Sequence, residues 1–429
     1  MEFKSIDNGK MAARRDLGSI LLIAPSIWRE NMSINLSCQS ATGQRSSGGM
    51  SVIFLAVSAF LIVTTEFIIV GMLPGLARDL GISVSAAGQL VTLFAFTVML
   101  AGPFLTAMVS HFERKRLFVS ILALFALSNA IAALAPNIWV LGIGRFVPAL
   151  ALPVFWGTAS ETAGQLAGSK RASKAIAQVY MGIAAAMVLG IPLGTLIADA
   201  LGWRGTFWSL AALSLLMAIL LGFFMPTMTK PEKMSALAQA QILKDPFFRG
   251  NIILSVVVFT AMFTAYTYLA DILETVAGVP SAQVGWWLMG FGLFGLIGNW
   301  LGGNMVERGP VMATGVATMV LAGGMIAATA FSSSHIFLIP ALAVWGIANT
   351  ALYPICQIRV MKAASHAQAL AGTLNVSMAN AGIGLGALIG GAVIQRWSLS
   401  HLGYVAAAIA LVAILISVYV ARLKPHIAT

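Results

Sequence analysis

Charge is what this chain has least of. Among its 429 residues 14 are acidic and 25 basic, 9% charged in all, whereas a soluble domain carries roughly a quarter. That scarcity excludes an ordinary water-soluble globular protein. Cysteine is almost missing too: Cys38 and Cys356 stand far apart, which excludes a disulfide framework and a thiolate metal site. The five histidines, His111, His335, His366, His401 and His426, fall at helix ends or in loops, so no metal centre is read. No GxxxxGK[ST] loop occurs, which leaves ATP-driven transport by this chain without support. No nucleophile stands beside a base, so the reading is not an enzyme, and no cofactor is expected.

What the chain has instead is apolar length: 59% of it is hydrophobic and its mean hydropathy is +0.91. A membrane span needs about 20 apolar residues, and twelve such segments follow one another from about 51–74 to about 402–421, the fifth and sixth at about 176–200 and 205–226. The expected fold is an all-α membrane protein with 12 transmembrane helices in two pseudo-symmetric six-helix bundles. Residues 1–49 carry mixed charge and read as a disordered cytoplasmic extension or as sequence upstream of a start at Met50. Residues 50–226 form the first bundle, 227–249 a cytoplasmic linker and 250–429 the second bundle.

The net charge of +11 would suggest nucleic acid in a soluble protein. Here its distribution argues for topology. With both termini inside, 21 of the 25 bases fall on the cytoplasmic side, only Arg78, Arg204 and Arg396 fall outside, and Arg145 lies within a span. Positive loops stay in the cytoplasm, so the expectation is a multi-pass inner-membrane protein with both termini cytoplasmic and no nucleic-acid partner.

The halves repeat. Gly81 to Gly88 aligns with Gly278 to Gly285 at an offset of 197, and Leu189 to Arg204 aligns with Ala381 to Arg396 at an offset of 192. A parallel duplication of six helices places a transport site between the halves near the midplane.

A charge inside a span costs about 2.5 to 3.5 kcal/mol on the insertion scale and therefore needs a purpose. Glu66 lies about 21 Å in from the cytoplasmic side, and Arg145 about 10 Å from the outer surface, at similar depth. A buried carboxyl beside a cation is suited to take up and release a proton, against the plainer reading of a structural ion pair. Asp271, Glu274, Asp199 and Glu161 sit at helix ends, where solvated positions or caps account for them. Trp156, Tyr266, Tyr268, Asn349, Tyr353, Gln357, Asn375 and Asn380 describe an amphipathic, mostly apolar cavity suited to a small organic molecule. Glycines four apart, such as Gly190 and Gly194 or Gly382 and Gly386, serve close helix packing rather than nucleotide binding.

From about Met50 to its end the chain resembles the major facilitator superfamily, and within it the twelve-helix drug/proton antiporter branch with its arabinose-efflux-type bacterial permeases. TTEFIIVGMLPGLARDLGIS (Thr64 to Ser83) looks like that branch's first-helix signature, and LGIGRFVPALALPVFWG like the fourth-helix motif whose arginine, here Arg145, is tied to proton coupling. GIPLG with GWR is similar to the fifth-helix antiporter motif, through Gly190, Pro192 and Gly194. The loop after the second helix departs from the family pattern: Gly102, Arg114 and Arg116 remain, but Ser110 and His111 replace the Asp-Arg pair, while the second copy keeps Glu307 and Arg308. The resemblance implies a monomeric transporter that exports a small organic molecule in exchange for protons. Glu66 would be the protonation site and Arg145 its modulator. A sugar, nucleoside or amino-acid permease working by symport or uniport is the alternative, and a non-transporting sensor or membrane enzyme the remote one.

Overall fold

The computed structural model describes residues 49–109, 112–168, 171–228, 243–364 and 368–423. Residues 1–48 of the extension, Ser110, His111, His366 and linker residues 229–242 lie outside the described residues.

Uniformly apolar segments with polar breaks produce helices, and the described residues form α1 (Gly49–Leu80), α2 (Val84–Val109), α3 (Arg114–Ala133), α4 (Ile138–Ala167), α5 (Ala172–Ala185) and α6 (Ile191–Phe224). The second set is α7 (Pro246–Tyr266), α8 (Ser281–Arg308), α9 (Pro310–Ala330), α10 (His335–Ala363), α11 (Gln368–Arg396) and α12 (Leu402–Arg422). Polar residues start several of them. Glu113 caps α3 through the Lys115 and Arg116 amides, Asn137 caps α4 through Trp139 and Val140, and Asp245 caps α7 through Phe247. Each fills donors that the first helical turn leaves open.

Eleven helical runs among the described residues are long and apolar enough to cross a membrane. The fifth and sixth expected segments are fused in one of these, Gln178–Phe224, of 47 residues. At 1.5 Å per residue such a run would reach about 70 Å, more than twice the ~30 Å hydrocarbon core. It breaks where the backbone must reverse, at Gly202, whose φ of +75° belongs to the region glycine favours. A π-helical turn, Ala186–Gly190, joins α5 to α6 just before Pro192, where the ring removes a backbone donor.

In the unit Ser51–Thr429, α2, α3, α4, α5 and α6 pack in one group and α7 to α12 in another. The groups meet along two seams, α2 against α11 and the α5–α6 junction against α8. The duplication is visible in the backbone: Gly81 (φ +62°) and Gly278 (φ +68°), 197 residues apart, make the same left-handed turn ahead of α2 and α8.

The outer faces carry large exposed apolar residues, among them Leu100, Phe104, Trp139 and Phe223. Such an exterior is suited to acyl chains and not to water. The interior is close-packed at glycines. A Cβ on Gly190 would lie 2.0 Å from Thr64 Oγ1, and one on Gly194 2.1 Å from Ile68 Cδ1, so these two glycines let α6 and the π-turn lie directly on α1.

Candidate functional site

α1 carries Glu66 near its middle, and the side chain is buried. α4 carries Arg145, which is 1% exposed. The packing brings the two together without joining their charged ends. Arg145 Nη2 donates to the backbone carbonyl of Glu66 at 2.6 Å and Nη1 donates to the backbone carbonyl of Thr65. The guanidinium also lies over the Phe94 ring, 4.4 Å from its centroid, an arrangement in which the ring face attracts the cation. Asn129 Nδ2 donates to Thr65 Oγ1 at 3.3 Å from the other side. Glu66 takes part in none of the three ion pairs among the described residues. A carbonyl has two lone pairs, so the Arg145 bonds leave the helical ladder of α1 intact and fix the backbone from which the carboxyl projects.

Beside this pair, aromatic groups of the second half meet α1. Phe67, next to Glu66, packs on Phe263 of α7 at 5.7 Å between centroids, Phe263 meets Tyr266 at 5.4 Å, Tyr266 stacks on Phe291 of α8 at 5.6 Å, and Phe291 meets Trp345 of α10 at 5.6 Å. Tyr353 meets Phe259 edge-on at 5.2 Å.

The expected cavity residues divide into two sets. Gln357 and Asn375 belong to a closed network: Arg359 donates to Ser255 Oγ at 2.7 Å, Ser255 to Asn375 Oδ1 at 2.8 Å, and Asn375 to Gln357 Oε1 at 2.7 Å. Asn349 Oδ1, Tyr353 Oη, Asn380 Oδ1 and Trp345 Nε1 are buried and have no hydrogen-bond partner among the described residues. Tyr266 is in the aromatic run, Trp156 stacks on Tyr180 of α5 at 5.7 Å, and Tyr268 donates to the Ala387 carbonyl at 2.8 Å across α11.

Among the motif residues, Arg114 is buried and pairs at 2.9 Å with Glu161, whose own side chain is 47% exposed. Arg116 contributes its amide to the Glu113 cap and Gly102 is buried in α2. Glu307 is exposed at the end of α8; the Arg308 side chain is outside the described set. Arg359, counted above with the loop charges, is 1% exposed within α10.

Where α1 ends, Asp79 accepts from Trp203 Nε1 at 2.8 Å and from Arg204 Nη1 at 2.5 Å, while Arg78 pairs with Glu274 across the two halves. Together with Asp199 these residues line a cavity of about 570 Å³.

Comparison with known proteins accords with this architecture. The family profile of the Major Facilitator Superfamily matches residues 55–377 and 252–428. The "Inner membrane transport protein YdhP" of Escherichia coli (strain K12) is 33% identical over 356 residues, covering 82% of this chain and 89% of that one. A "Probable sugar efflux transporter" of Helicobacter acinonychis (strain Sheeba) is 29% identical over 365 residues, 85% of this chain and 93% of the other. Two solved structures share the fold. A bacterial homologue of the lysosomal transporter Spinster, inward-facing and occupied, has a TM-score of 0.76 at 15% identity, covering 88% of this chain and 97% of that chain. A D-xylose-proton symporter has a TM-score of 0.71 at 15% identity, covering 86% and 97%. With profile matches along nearly all of its apolar length, the chain belongs to the Major Facilitator Superfamily and is a multi-pass inner-membrane transporter of small molecules, not an enzyme.

Proposed function

We propose that the protein exports a small organic molecule in exchange for protons, as a member of the drug/proton antiporter branch with the arabinose-efflux type as its nearest pattern. Both termini face the cytoplasm, as the placement of 21 of 25 bases supports, and the protein works as a monomer by rocking one six-helix half against the other. Glu66 takes up and releases the proton; Arg145 holds the helix from which it acts.

One observation carries the reading: Glu66 is a buried carboxyl at mid-span that forms no direct ion pair among the described residues, Arg145 being committed to backbone carbonyls. An intramembrane acid kept free of a fixed counter-ion is able to exchange its proton as its surroundings change. The named function of the sugar efflux relative and the fifth-helix glycines packed on α1 support export.

The test uses everted membrane vesicles loaded with the full chain. Substrate addition is expected to evoke proton release that Glu66→Gln abolishes, while substrate binding to the purified variant remains. Undiminished release in Glu66→Gln overturns the assignment.

A further inference from the structure

A groove of about 650 Å³ runs along α2 from Gln89 to Ala101, flanked by Phe146 and Leu150 of α4. At 1.5 Å per residue that stretch of helix is about 18 Å long, slightly more than one leaflet of a ~30 Å hydrocarbon core. Its polar side chains already donate within the protein. Thr92 Oγ1 donates to the Gly384 carbonyl at 3.3 Å, Thr97 Oγ1 to the Leu93 carbonyl at 2.7 Å, and Gln89 Nε2 to the Ser85 carbonyl at 3.4 Å. Leu93, Leu100 and Phe146 are exposed in its walls. A groove so lined makes its contacts through hydrocarbon, and its length and chemistry suit an acyl chain rather than a polar solute.

The Gln89 end of the groove lies where α2 meets the end of α11. Gln395 Nε2 donates to Ser85 Oγ at 3.1 Å, one turn before Gln89, and a Cβ on Gly391 would lie 2.9 Å from Gln89 Nε2. The residue after Gln395 is Arg396, exposed in the last turn of α11. It belongs to the base-poor face of the protein, whose other two bases are both neutralised: Arg78 pairs with Glu274 and Arg204 with Asp79. Arg396 takes part in none of the three ion pairs among the described residues. A guanidinium at the level of the lipid headgroups is matched to a phosphate, and its uncompensated charge favours a net-negative headgroup over a zwitterionic one. We infer that the α2–α4 groove and Arg396 form a site for one anionic phospholipid, with an acyl chain along α2 and the phosphate on Arg396. The wall residues Leu93 and Phe146 are the chain neighbours of Phe94 and Arg145, whose ring and guanidinium stack, so the lipid chain lies along the same helical turns that carry that stack.

Purified, delipidated full-length protein in detergent is titrated with dioleoylphosphatidylglycerol and, separately, with dioleoylphosphatidylcholine, and lipid-bound species are counted by native mass spectrometry. The first phosphatidylglycerol is expected to bind about fivefold more tightly than phosphatidylcholine, the advantage that one base gives at an anionic lipid surface. Arg396→Gln should make the two lipids equal. Leu93→Trp, which puts an indole into the middle of the groove, should weaken both, and Leu100→Trp blocks the same groove from a fully exposed position should the first variant fail to fold. Leu415→Trp, on the exposed face of α12, should bind both lipids as wild type does. Equal binding of the two lipids by the wild type, a preference that survives Arg396→Gln, or undiminished lipid binding in the folded groove variants overturns the site. Weakening in Leu415→Trp as large as in the groove variants overturns it too, because the lipid counted would then be spread over the whole apolar exterior.

Discussion

Arg145 grips the backbone of Glu66 and leaves its carboxylate free: Nη2 donates to the Glu66 carbonyl at 2.6 Å, and the guanidinium rests on the Phe94 ring. The arrangement separates two tasks that a simple ion pair would merge. In the proposed mechanism the fork fixes the helix while the acid remains free to exchange a proton.

Lysine cannot reproduce that fork, because an ammonium is a point charge without a planar pair of donors. Arg145→Lys should lose at least one charge-assisted hydrogen bond, about 1.5 to 3 kcal/mol, and lower both Tm and the rate of substrate-evoked proton release. Wild-type values for both would show that the fork is dispensable.

Gly190 and Gly194 set the distance between α1 and the α5–α6 junction. Gly190→Ala places a methyl 2.0 Å from Thr64 Oγ1, and overpacking of this kind costs about 1 to 3 kcal/mol. Thermal melts should show the loss, and Thr64→Ala in the same chain should recover part of it by removing the atom in the way. A double variant as unstable as Gly190→Ala alone would argue against that contact as the cause.

The Arg78–Glu274 pair joins the halves at the face where α1 ends, and both side chains are partly solvated, 61% and 22% exposed. Pairs of this type contribute about 0 to 1 kcal/mol, too little to be seen in Tm. In a protein that alternates between two states, the same energy shifts their ratio by up to about fivefold. A cysteine in place of buried Ser85 in the α2–α11 seam reports that shift. Its alkylation should quicken by up to that factor in Glu274→Gln, and an unchanged rate would remove the pair from the gate.

Glu113 ties the start of α3 to the chain after α6. Partial burial pushes its carboxyl up, but amide donors from Arg116, Lys115 and Met228, with the Arg116 charge, outweigh burial and hold it below its ordinary value of 4.5. A depressed folded value means the contribution is complete above that ordinary value and disappears as pH falls below it through the folded one. Glu113→Gln should lose about 1 kcal/mol of capping at neutral pH, and the difference between variant and wild type should shrink in acid. A gap in Tm that stays constant from neutral pH to pH well under 4.5 would contradict this.

The twelve apolar segments were legible because crossing a bilayer is a one-dimensional demand on length and hydropathy. The duplication was legible for a similar reason, since Gly81 and Gly278 must each be glycine to turn as they do. Glu66 and Arg145 stood out because charge is rare here. The break between the fifth and sixth segments was legible too, because Gly202, where the helical path is broken, stands between Asp199 and Arg204. Arg359 escaped notice because its neutral partners, Asn251 and Ser255, lie more than 100 residues away. The ion pair of Arg114 with Glu161 was hidden likewise, by 47 residues of intervening chain.

Composition and order alone settle that this chain lives in a bilayer and which segments are apolar enough to cross it, because those properties depend on local hydropathy and on residue identity. Which atom Arg145 holds, and which polar groups of α10 stay open while Gln357 and Asn375 satisfy each other, are decided only when distant helices pack. Hydrogen bonding depends on angle and on distances of about 3 Å, and no spacing along the chain encodes those.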